Sequence, residues 1–341
     1  MADKKKRSKK AKIIALAAAG VLAVAGGLVG LSILNTARSL WHENAAGRFA
    51  ADERFAELSV FLPADANFTL DGVMHTRYEI EKALVARSIP LSEEKRVYVD
   101  AFSAFDTVSA ASDSGKTTTV RRRKIGGDPA FFYESFAAAP RIGEDINHDR
   151  VLLSKTAAWR LYGGYELEDF PVTLGSDTFV VSGVIDDPVS ADDKAFYGEE
   201  PLIVCDIGRF PDTPVTLYEI ILIDPVKGFA KDVLETALPV DKERVLIVEN
   251  SARFSVPALY KKIPTLLAAD EEMPAGVTVT PEEMAARRAE KHLAARFLLM
   301  HILLAYPLLT LLYLLRKLYK KVKAFLGRTV GSKIRDKLSY S

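Results

Sequence analysis

The chain has 341 residues, of which 49% are hydrophobic and 27% charged, a composition typical of a folded protein rather than a disordered one. Its formal net charge of +1 argues against binding nucleic acid through overall charge, and we expect no nucleic-acid partner. The charge is unevenly distributed: residues 1–12 carry +6, residues 316–341 carry +8, and residues 13–315 carry −13. The charge pattern therefore predicts three regions of different character.

Two long uncharged segments separate these regions. Residues 13–34 form a run of 22 without a charged side chain, and residues 297–315 form a run of 19. As helices they would measure about 33 and about 28 Å, close to the thickness of a bilayer core. A cleaved signal peptide is the alternative for the first run, but that run is long for one and no small-residue cleavage site follows it. The sequence therefore predicts two transmembrane helices.

The basic flanks orient the predicted helices. The positive-inside rule places residues 1–12 and 316–341 in the cytoplasm, so residues 35–296 form an extracytoplasmic domain. The expected location is the cell membrane, with both termini cytoplasmic and membrane lipid as a partner. Cys205 is the single cysteine, which excludes an internal disulfide, and its apolar context predicts a buried strand thiol.

The outer segment contains two β-α-β patterns. The first covers residues 55–102 and the second covers residues 217–249. In the second, Asp224 is expected to cap a helix that places Val226 on its apolar face. Two such units predict a ferredoxin-like split sheet.

The sequence between these units is rich in strands and is predicted to form a smaller inserted lobe. Within it, Ser154 caps a short helix that ends at Gly163, and Gly175 lies in a hairpin turn. The expected fold is thus an α/β (α+β) extracytoplasmic domain of two lobes, flanked by two transmembrane helices. The predicted boundaries are 1–12 for the basic N-terminus, 13–34 for the first transmembrane helix, 35–116 and 210–268 for the larger lobe, 117–209 for the inserted lobe, 269–296 for a linker and stalk helix, 297–315 for the second transmembrane helix, and 316–341 for a basic amphipathic tail.

The segment before the second apolar run has the signature of a helix start. Thr280 and Glu283 form a capping box, and Pro281 occupies the first helical position. The sequence then runs unbroken to residue 297. We expect one continuous stalk helix through which motion of the outer domain could reach the bilayer.

No motif nominates a catalytic, metal or cofactor site. Ser114-Gly115-Lys116-Thr117 resembles the end of a phosphate loop, but Ala110 stands where that loop needs glycine. The acidic runs 144–149, which includes His148, and 186–200 could bind a cation, although loop acids usually face solvent. The basic run 121–124 is explained by an edge strand protected by charge. We therefore predict no enzymatic activity, no metal and no cofactor.

Three features belong to the predicted membrane segments. Gly26 and Gly30 form a small-residue pair suited to close helix packing, against the plainer alternative of a generic Ala- and Gly-rich span. Pro307 lies near the middle of the second span and is expected to kink it. The tail repeats apolar residues among basic ones, a pattern that favours the membrane surface over a partner groove.

Several ordered motifs resemble a known family. They include Gly126-Gly127-Asp128-Pro129, Asp149-Arg150-Val151-Leu152-Leu153-Ser154, Ala158-Trp159-Arg160-Leu161 and the strand ending in Ser182-Gly183-Val184. Over residues 40–250 the chain resembles the MacB-like periplasmic core domain of ABC-type permeases. The resemblance implies an extracytoplasmic domain of two lobes in a protein that works with an ATPase. Typical members continue into an FtsX-type module of several spans, whereas this sequence shows one span there and no ATPase motif.

Together these features predict a non-enzymatic membrane subunit of an ABC-type transporter or mechanotransmission complex. Its outer domain would bind substrate or a partner protein. The expected partners are an ABC ATPase and a further permease subunit, or a second copy of the chain. The alternative is a two-span extracytoplasmic sensor or assembly scaffold, such as a cell-envelope polysaccharide regulator, without an ATPase.

Overall fold

The computed structural model describes residues 2–39, 45–49, 53–91, 96–133, 136, 148–187, 201–251, 253–268 and 273–338. The helices are α1 (Ala2–Ser39), α2 (Ala45–Phe49), α3 (Leu70–Ala86), α4 (Lys155–Tyr162), α5 (Phe229–Ala237), α6 (Val256–Lys262) and α7 (Pro281–Leu338). The strands are β1 (Phe55–Phe61), β2 (Tyr98–Ser112), β3 (Thr117–Gly127), β4 (Arg150–Ser154), β5 (Pro171–Leu174), β6 (Asp177–Ile185), β7 (Leu202–Asp206), β8 (Leu217–Ile223) and β9 (Leu246–Glu249).

The chain divides into two compact units. The helical unit comprises residues 1–37, 259–266 and 291–341, and the sheet unit comprises residues 38–258 and 267–290. Lys12–Arg38 and Pro281–Lys323 are long and apolar enough to cross a membrane. The two predicted spans therefore fall within two helices of suitable length and composition.

The predicted split sheet is confirmed. Strands β9, β1, β8 and β2 lie in that order, and each neighbouring pair is antiparallel. Helices α3 and α5 follow β1 and β8, as the two β-α-β units require. The helices bury one apolar stripe each in a common core, through Ile80 and Leu84 of α3 and Val233 and Leu234 of α5.

The central strand of this sheet is buried on both faces. All seven residues of β1 are buried, including Glu57 and Ser59, which alternate with the apolar residues. Alternation alone does not tell whether the polar face of a strand meets water. Here that face is covered by protein, and its polar groups have partners that are described below.

The strands between the two β-α-β units close into a barrel together with β2. The order β2, β3, β7, β4, β6, β5 returns to β2, with parallel pairing only at β3–β7 and β4–β6. Its interior is a separate cluster of apolar residues, among them Val151, Leu153, Phe179, Val181, Ile203 and Cys205. Cys205 is fully buried, as predicted, and burial raises the pKa of its thiol to about 12. The boundaries of the inserted lobe stay a prediction.

Strand β2 is shared by the split sheet and the barrel. Residues 98–103 pair with β8, whereas residues 110–112 pair with β5. The sequence predicted a strand only as far as residue 102. Residues 103–112 contain mostly Ala, Ser, Thr and Asp, so intrinsic propensity gives little signal, and pairing with β3 imposes the strand.

The predicted start of the helix in the second β-α-β unit is wrong. Helix α5 begins at Phe229 after Gly228, whose φ of 91° lies in the left-handed region that favours glycine. Val226 consequently lies outside the helix and is 72% exposed. Asp224 still serves the helix, because its buried carboxylate accepts a hydrogen bond from the Ala230 amide at 3.1 Å.

The edge-strand interpretation of the basic run 121–124 is also wrong. Strand β3 has β2 on one side and β7 on the other. Arg122 and Lys124 both contact Asp106, at 2.6 and 3.1 Å, and these contacts hold the pKa of Asp106 below its ordinary value although burial opposes the shift. Arg123 points to the opposite face and is 1% exposed. The run therefore supplies internal ion pairs.

Other local predictions agree with the structure. Ser154 accepts a hydrogen bond from the Ala157 amide at the start of α4, and Gly163 ends that helix with a φ of 76°. Gly175, with a φ of 64°, lies in the β5–β6 hairpin turn. Gly115 lies in the turn between β2 and β3, as expected of a hairpin tip rather than a phosphate loop.

Candidate functional site: a buried ionic network at the start of the long helix

Helix α7 begins within the sheet unit. Pro281 is its first residue, and the Thr280 hydroxyl accepts a hydrogen bond from the Glu283 amide at 3.3 Å, which is the first half of the predicted capping box. The Glu283 carboxylate is engaged by arginine side chains instead of completing that box. The first turn of α7 is thus fastened to the rest of the unit.

Arg253 is the main partner of this turn. Its Nη1 and Nη2 atoms donate to the two carboxylate oxygens of Glu283 at 2.7 and 3.0 Å. Its Nε atom donates to Glu290 at 2.8 Å, almost two turns further along α7. The residue is 7% exposed, and a bidentate pair in such a place is both strong and directional. One guanidinium therefore holds two positions of the helix.

The same group is tied to the central strand. Asn250 receives a hydrogen bond from Arg253 Nη1 at 3.5 Å and donates from Nδ2 to the Ser59 hydroxyl at 2.9 Å. The Asn250 amide also donates to the carbonyl oxygen of Glu57 at 2.8 Å. A short chain of polar contacts thus connects β1 with the first turn of α7.

A second buried cation lies on the same face of the sheet. Arg123 donates from Nε and Nη2 to the Ser103 hydroxyl at 3.2 and 3.1 Å. Its guanidinium nitrogens lie 3.7 Å from Glu219 and 3.7 Å from Glu282 of α7. Tyr133 donates to Glu219 at 2.6 Å. Arg123 therefore connects a strand of the sheet with the helix start.

Aromatic rings surround this cation. The Arg123 Cζ atom lies 4.1 Å from the ring centre of Tyr133, 5.2 Å from that of Phe105 and 5.8 Å from that of Phe136. Burial alone would lower the pKa of Arg123, but Tyr133, Glu282 and Glu219 raise it above its ordinary value. Burial raises the pKa of Tyr133 well above its usual range, and Glu219 adds to this shift. Arg123 is accordingly charged and Tyr133 neutral at physiological pH.

The two arginines and their partners form what we term the stalk network: Ser59, Ser103, Arg123, Tyr133, Glu219, Asn250, Arg253, Glu282, Glu283, Arg287 and Glu290. The Glu282 side chain is 10% exposed, and its Oε2 atom has no hydrogen-bond partner. Acidic residues in the first turn also complement the positive end of the helix dipole. The network thus joins strands of the split sheet to the first two turns of α7.

Sequence reasoning found the helix start but missed Arg123 and Arg253 as its partners. Arg253 stands in a segment without a periodic pattern, and Arg123 is one of four consecutive basic residues. A weak signal existed in Glu57, Ser59 and Glu219, polar residues inside strongly β-prone strands. Such residues can face either water or buried partners, and only the fold decides.

The predicted packing glycines lie in the helical unit. A Cβ atom at Gly26 would stand 2.7 Å from Leu304 Cδ2, and one at Gly30 would stand 3.3 Å from Met300 Sδ. The partner position recedes by four residues as α1 advances by four, so the two helices are antiparallel here. Pro307 lies within α7, which continues to Leu338. A packing role for the glycines and a kink at Pro307 stay predictions.

The candidate cation sites gain no support from the described part of the chain. No group of three or more His, Cys, Asp or Glu side chains is placed there to hold a metal ion. Among the described residues, His148 Nδ1 lies 3.1 Å from one carboxylate, that of Asp206. Residues 144–147 of the first acidic run and residues 188–200 of the second lie outside the described residues.

These features define an α/β domain of a split sheet and an inserted barrel, bounded in sequence by two candidate membrane helices. No family model matches the chain, and no curated protein matches it.

Among solved structures, the chain is similar to the extracellular domain of the noncanonic ABC-type transporter YknZ from Gram-positive bacteria, with 13% identity and a TM-score of 0.35, over 57% of this chain and 100% of that one. It is also similar to the periplasmic region of MacB from Actinobacillus actinomycetemcomitans, with 11% identity and a TM-score of 0.39, over 66% of this chain and 97% of that one.

Proposed function

We propose that the chain is a membrane subunit of an ABC-type transporter or mechanotransmission complex. In this proposal the sheet unit is extracytoplasmic and binds substrate or a partner protein. Helix α7 passes movement of that unit into the membrane, where ATPase-driven changes act. Both termini are cytoplasmic, and the chain itself performs no chemistry.

The observation that carries this proposal is the bidentate contact between Arg253 and Glu283. Two desolvated charges in such a contact cannot separate cheaply, because each would be left buried without its partner. Displacement of β1 or of the Asn250 segment would therefore drag the first turn of α7 with it. Helix α7 continues from Pro281 to Leu338 and includes the apolar segment, so in this proposal the displacement is passed along the helix.

The second cation strengthens this path. Arg123 reaches Glu282 from strand β3, whereas Arg253 reaches Glu283 and Glu290 from the loop after β9. The helix start is thus held from two separate parts of the sheet. Such a double attachment favours transmission of movement over a flexible tether.

We assign supporting roles to the membrane segments. Gly26 and Gly30 would allow α1 and α7 to pack closely, and Pro307 would provide a point of bending. The basic tail would lie on the anionic cytoplasmic leaflet.

Paired substitutions test the packing role. Gly26→Ile should displace α7, whereas Gly27→Ile should not, because a Cβ at Gly27 would meet nothing within 4 Å. Ser32 and Arg296 are hydrogen-bonded at 3.2 Å, so cysteines at these two positions report the helix pairing through a short bifunctional crosslinker. We expect a several-fold lower yield with Gly26→Ile only, and equal yields with both variants would contradict the packing role.

Purification from native membranes tests the main proposal. The tagged full chain would be crosslinked in the membrane, extracted in mild detergent and analysed by mass spectrometry. We expect an ABC ATPase, together with a further permease subunit or a second copy of the chain. Recovery of a homo-oligomer without an ATPase would contradict the proposal and favour the sensor or scaffold alternative.

The stalk network provides a sharper version of this experiment. In the purified complex, Arg253→Met should leave the ATPase bound. The rate of ATP hydrolysis should, however, no longer respond to substrate or partner binding by the sheet unit. Arg244→Ala removes an exposed pair with Asp65 and serves as the matched control. Unchanged coupling in a folded Arg253→Met complex would contradict transmission through this network.

A further inference from the structure

A short segment of the helical unit combines aromatic and basic side chains beside α7. It consists of residues 259–266, the end of α6 and the 3₁₀ turn that follows, and we term it the collar segment. Tyr260 is 51% exposed, Lys261 and Pro264 are exposed, and Leu259 is buried. The segment therefore exposes amphipathic and basic side chains, whereas the apolar side chain of Leu259 is buried.

Its place along α7 is fixed by Tyr260. The Tyr260 hydroxyl lies 2.7 Å from His301 Nε2, and its ring centre lies 4.9 Å from that of Phe297 and 5.4 Å from that of His301. His301 Nδ1 lies 2.8 Å from the Phe297 carbonyl oxygen. A proton on Nδ1 would be donated to that carbonyl, and Nε2 would then accept the hydrogen bond of the Tyr260 hydroxyl. Tyr260 is thus held by both a ring contact and a hydrogen bond.

These contacts define the level of the segment. Phe297 is the first residue of the uncharged run 297–315, and His301 is one turn further. Arg296, directly before the run, donates to the hydroxyls of Ser32 and Thr36 of α1. The charged part of α7 therefore ends at Arg296, directly before the uncharged run, and Tyr260 lies at that border. Tyrosine is enriched at this level in membranes because its ring is apolar and its hydroxyl is polar.

We propose that the collar segment lies in the headgroup layer of the bilayer. Tyr260 and the apolar side chains Ile263 and Leu266 contact the upper acyl chains, and Lys261 and Lys262 bind lipid phosphates. The segment sets the depth and the rotation of α7 at the membrane surface. This inference rests on the membrane placement in the proposed function and adds a lipid-binding surface to it.

Collision accessibility of nitroxide labels tests the inference. The full chain would be reconstituted in nanodiscs of phosphatidylcholine and phosphatidylglycerol and labelled at Lys261→Cys, Lys242→Cys or Leu309→Cys. Lys242 is a largely exposed side chain of the sheet unit, and Leu309 is a 66% exposed side chain within the uncharged run. Mock labelling of the unsubstituted chain checks that buried Cys205 does not react.

The ratio of oxygen to nickel-chelate collisions reports depth. We expect the lowest ratio at position 242, the highest at position 309 and an intermediate ratio at position 261. Equal ratios at 261 and 242, with 309 still high, would overturn the collar inference alone. Equal ratios at 309 and 242 would overturn the membrane placement itself, and the inference with it.

A second variant tests whether Tyr260 positions the segment. Tyr260→Ala in the Lys261→Cys chain should move the ratio at position 261 toward that at position 242. The ratio at position 309 should stay unchanged, because the uncharged run of α7 is intact. An unaltered ratio at position 261 would overturn the positioning role of Tyr260.

Discussion

The barrel and the split sheet differ in where their buried charges lead. The barrel encloses an apolar cluster, and its ion pairs, from Asp106 to Arg122 and Lys124, stay within strands β2 and β3. The split sheet packs its helices on one face but buries Arg123, Glu219 and Ser103 on the other. A buried ion pair gains little net stability over apolar residues of similar volume. Removing only one of its two partners, however, is strongly destabilising. The polar contacts on that face of the split sheet thus give a directional connection to α7.

The position of the polar interior is informative. Its charges end on Glu282, Glu283 and Glu290 of α7. A folded domain that needed only stability could have used leucine at such places. These buried charges lie where the chain leaves the sheet unit toward the candidate membrane segment, and their contacts with α7 motivate the proposed transmission role.

Removal of Arg253 should give the largest effect. Arg253→Ala leaves the Glu283 carboxylate 5% exposed with only Arg287 beside it, and we expect a loss of about 3–5 kcal/mol in unfolding free energy. Thermal and denaturant unfolding of the full chain in detergent would measure it. Arg244→Ala, which breaks an exposed pair, should cost less than about 1 kcal/mol. Similar losses for the two variants would remove the contrast between the network and ordinary surface pairs.

A double-mutant cycle between Arg123 and Glu282 should give the next largest effect. Arg123→Met, Glu282→Gln and the double variant isolate the contact between β3 and α7. We expect a coupling of about 1–3 kcal/mol, as for neighbours in one buried network. Additivity of the two single effects would mean that the 3.7 Å approach contributes nothing specific.

Alkaline pH should destabilise the sheet unit, because Tyr133 and Tyr218 are buried there. Burial, with help from Glu219 and Asp100, raises the pKa values of Tyr133 and Tyr218 well above their usual range, so both stay neutral in the fold. Unfolded tyrosine ionises near pH 10, so stability is complete below that value and falls as the pH rises above it. Thermal midpoints between pH 8 and 11 should therefore decline, and less steeply in Tyr133→Phe. A constant midpoint would contradict the assigned burial of these hydroxyls.

A conservative change in the barrel should give the smallest effect. Ile203 is fully buried in the barrel cluster, and Ile203→Val should cost about 0.5–1.5 kcal/mol. Its effect should add to that of Arg253→Ala, because the two residues belong to separate clusters. Strong coupling between them would show that the two interiors act as one.

Much of the fold could be predicted from the sequence because its signals are local. The second β-α-β pattern was predicted to begin at residue 217, where strand β8 begins, and Ser154 and Gly163 were predicted as the ends of α4. The errors arose where a distant partner decides the structure. Residues 103–112 are held as a strand by β3, and Asp224 is drawn to the Ala230 amide by the fold.

The candidate site was less predictable for the same reason. Thr280 and Pro281 predicted a helix start, but nothing nearby in the sequence identifies Arg253 as the partner of Glu283. Likewise, four consecutive basic residues gave no sign that Arg123 is buried among aromatic rings while Arg122 pairs with Asp106. The sequence shows which residues are charged, but whether a charged side chain is buried depends on which strands and helices pack around it.

Hydrogen exchange of the full chain in detergent tests the central claim most directly. The claim is that the stalk network fastens the first turns of α7 to the sheet unit. Amides 284–290 should exchange slowly in the wild type and at least about tenfold faster in Arg253→Met, since the opening free energy falls by more than about 1.4 kcal/mol. Amides of β4 in the barrel should be unaffected. Unchanged protection of residues 284–290 in a folded Arg253→Met chain would contradict the claim.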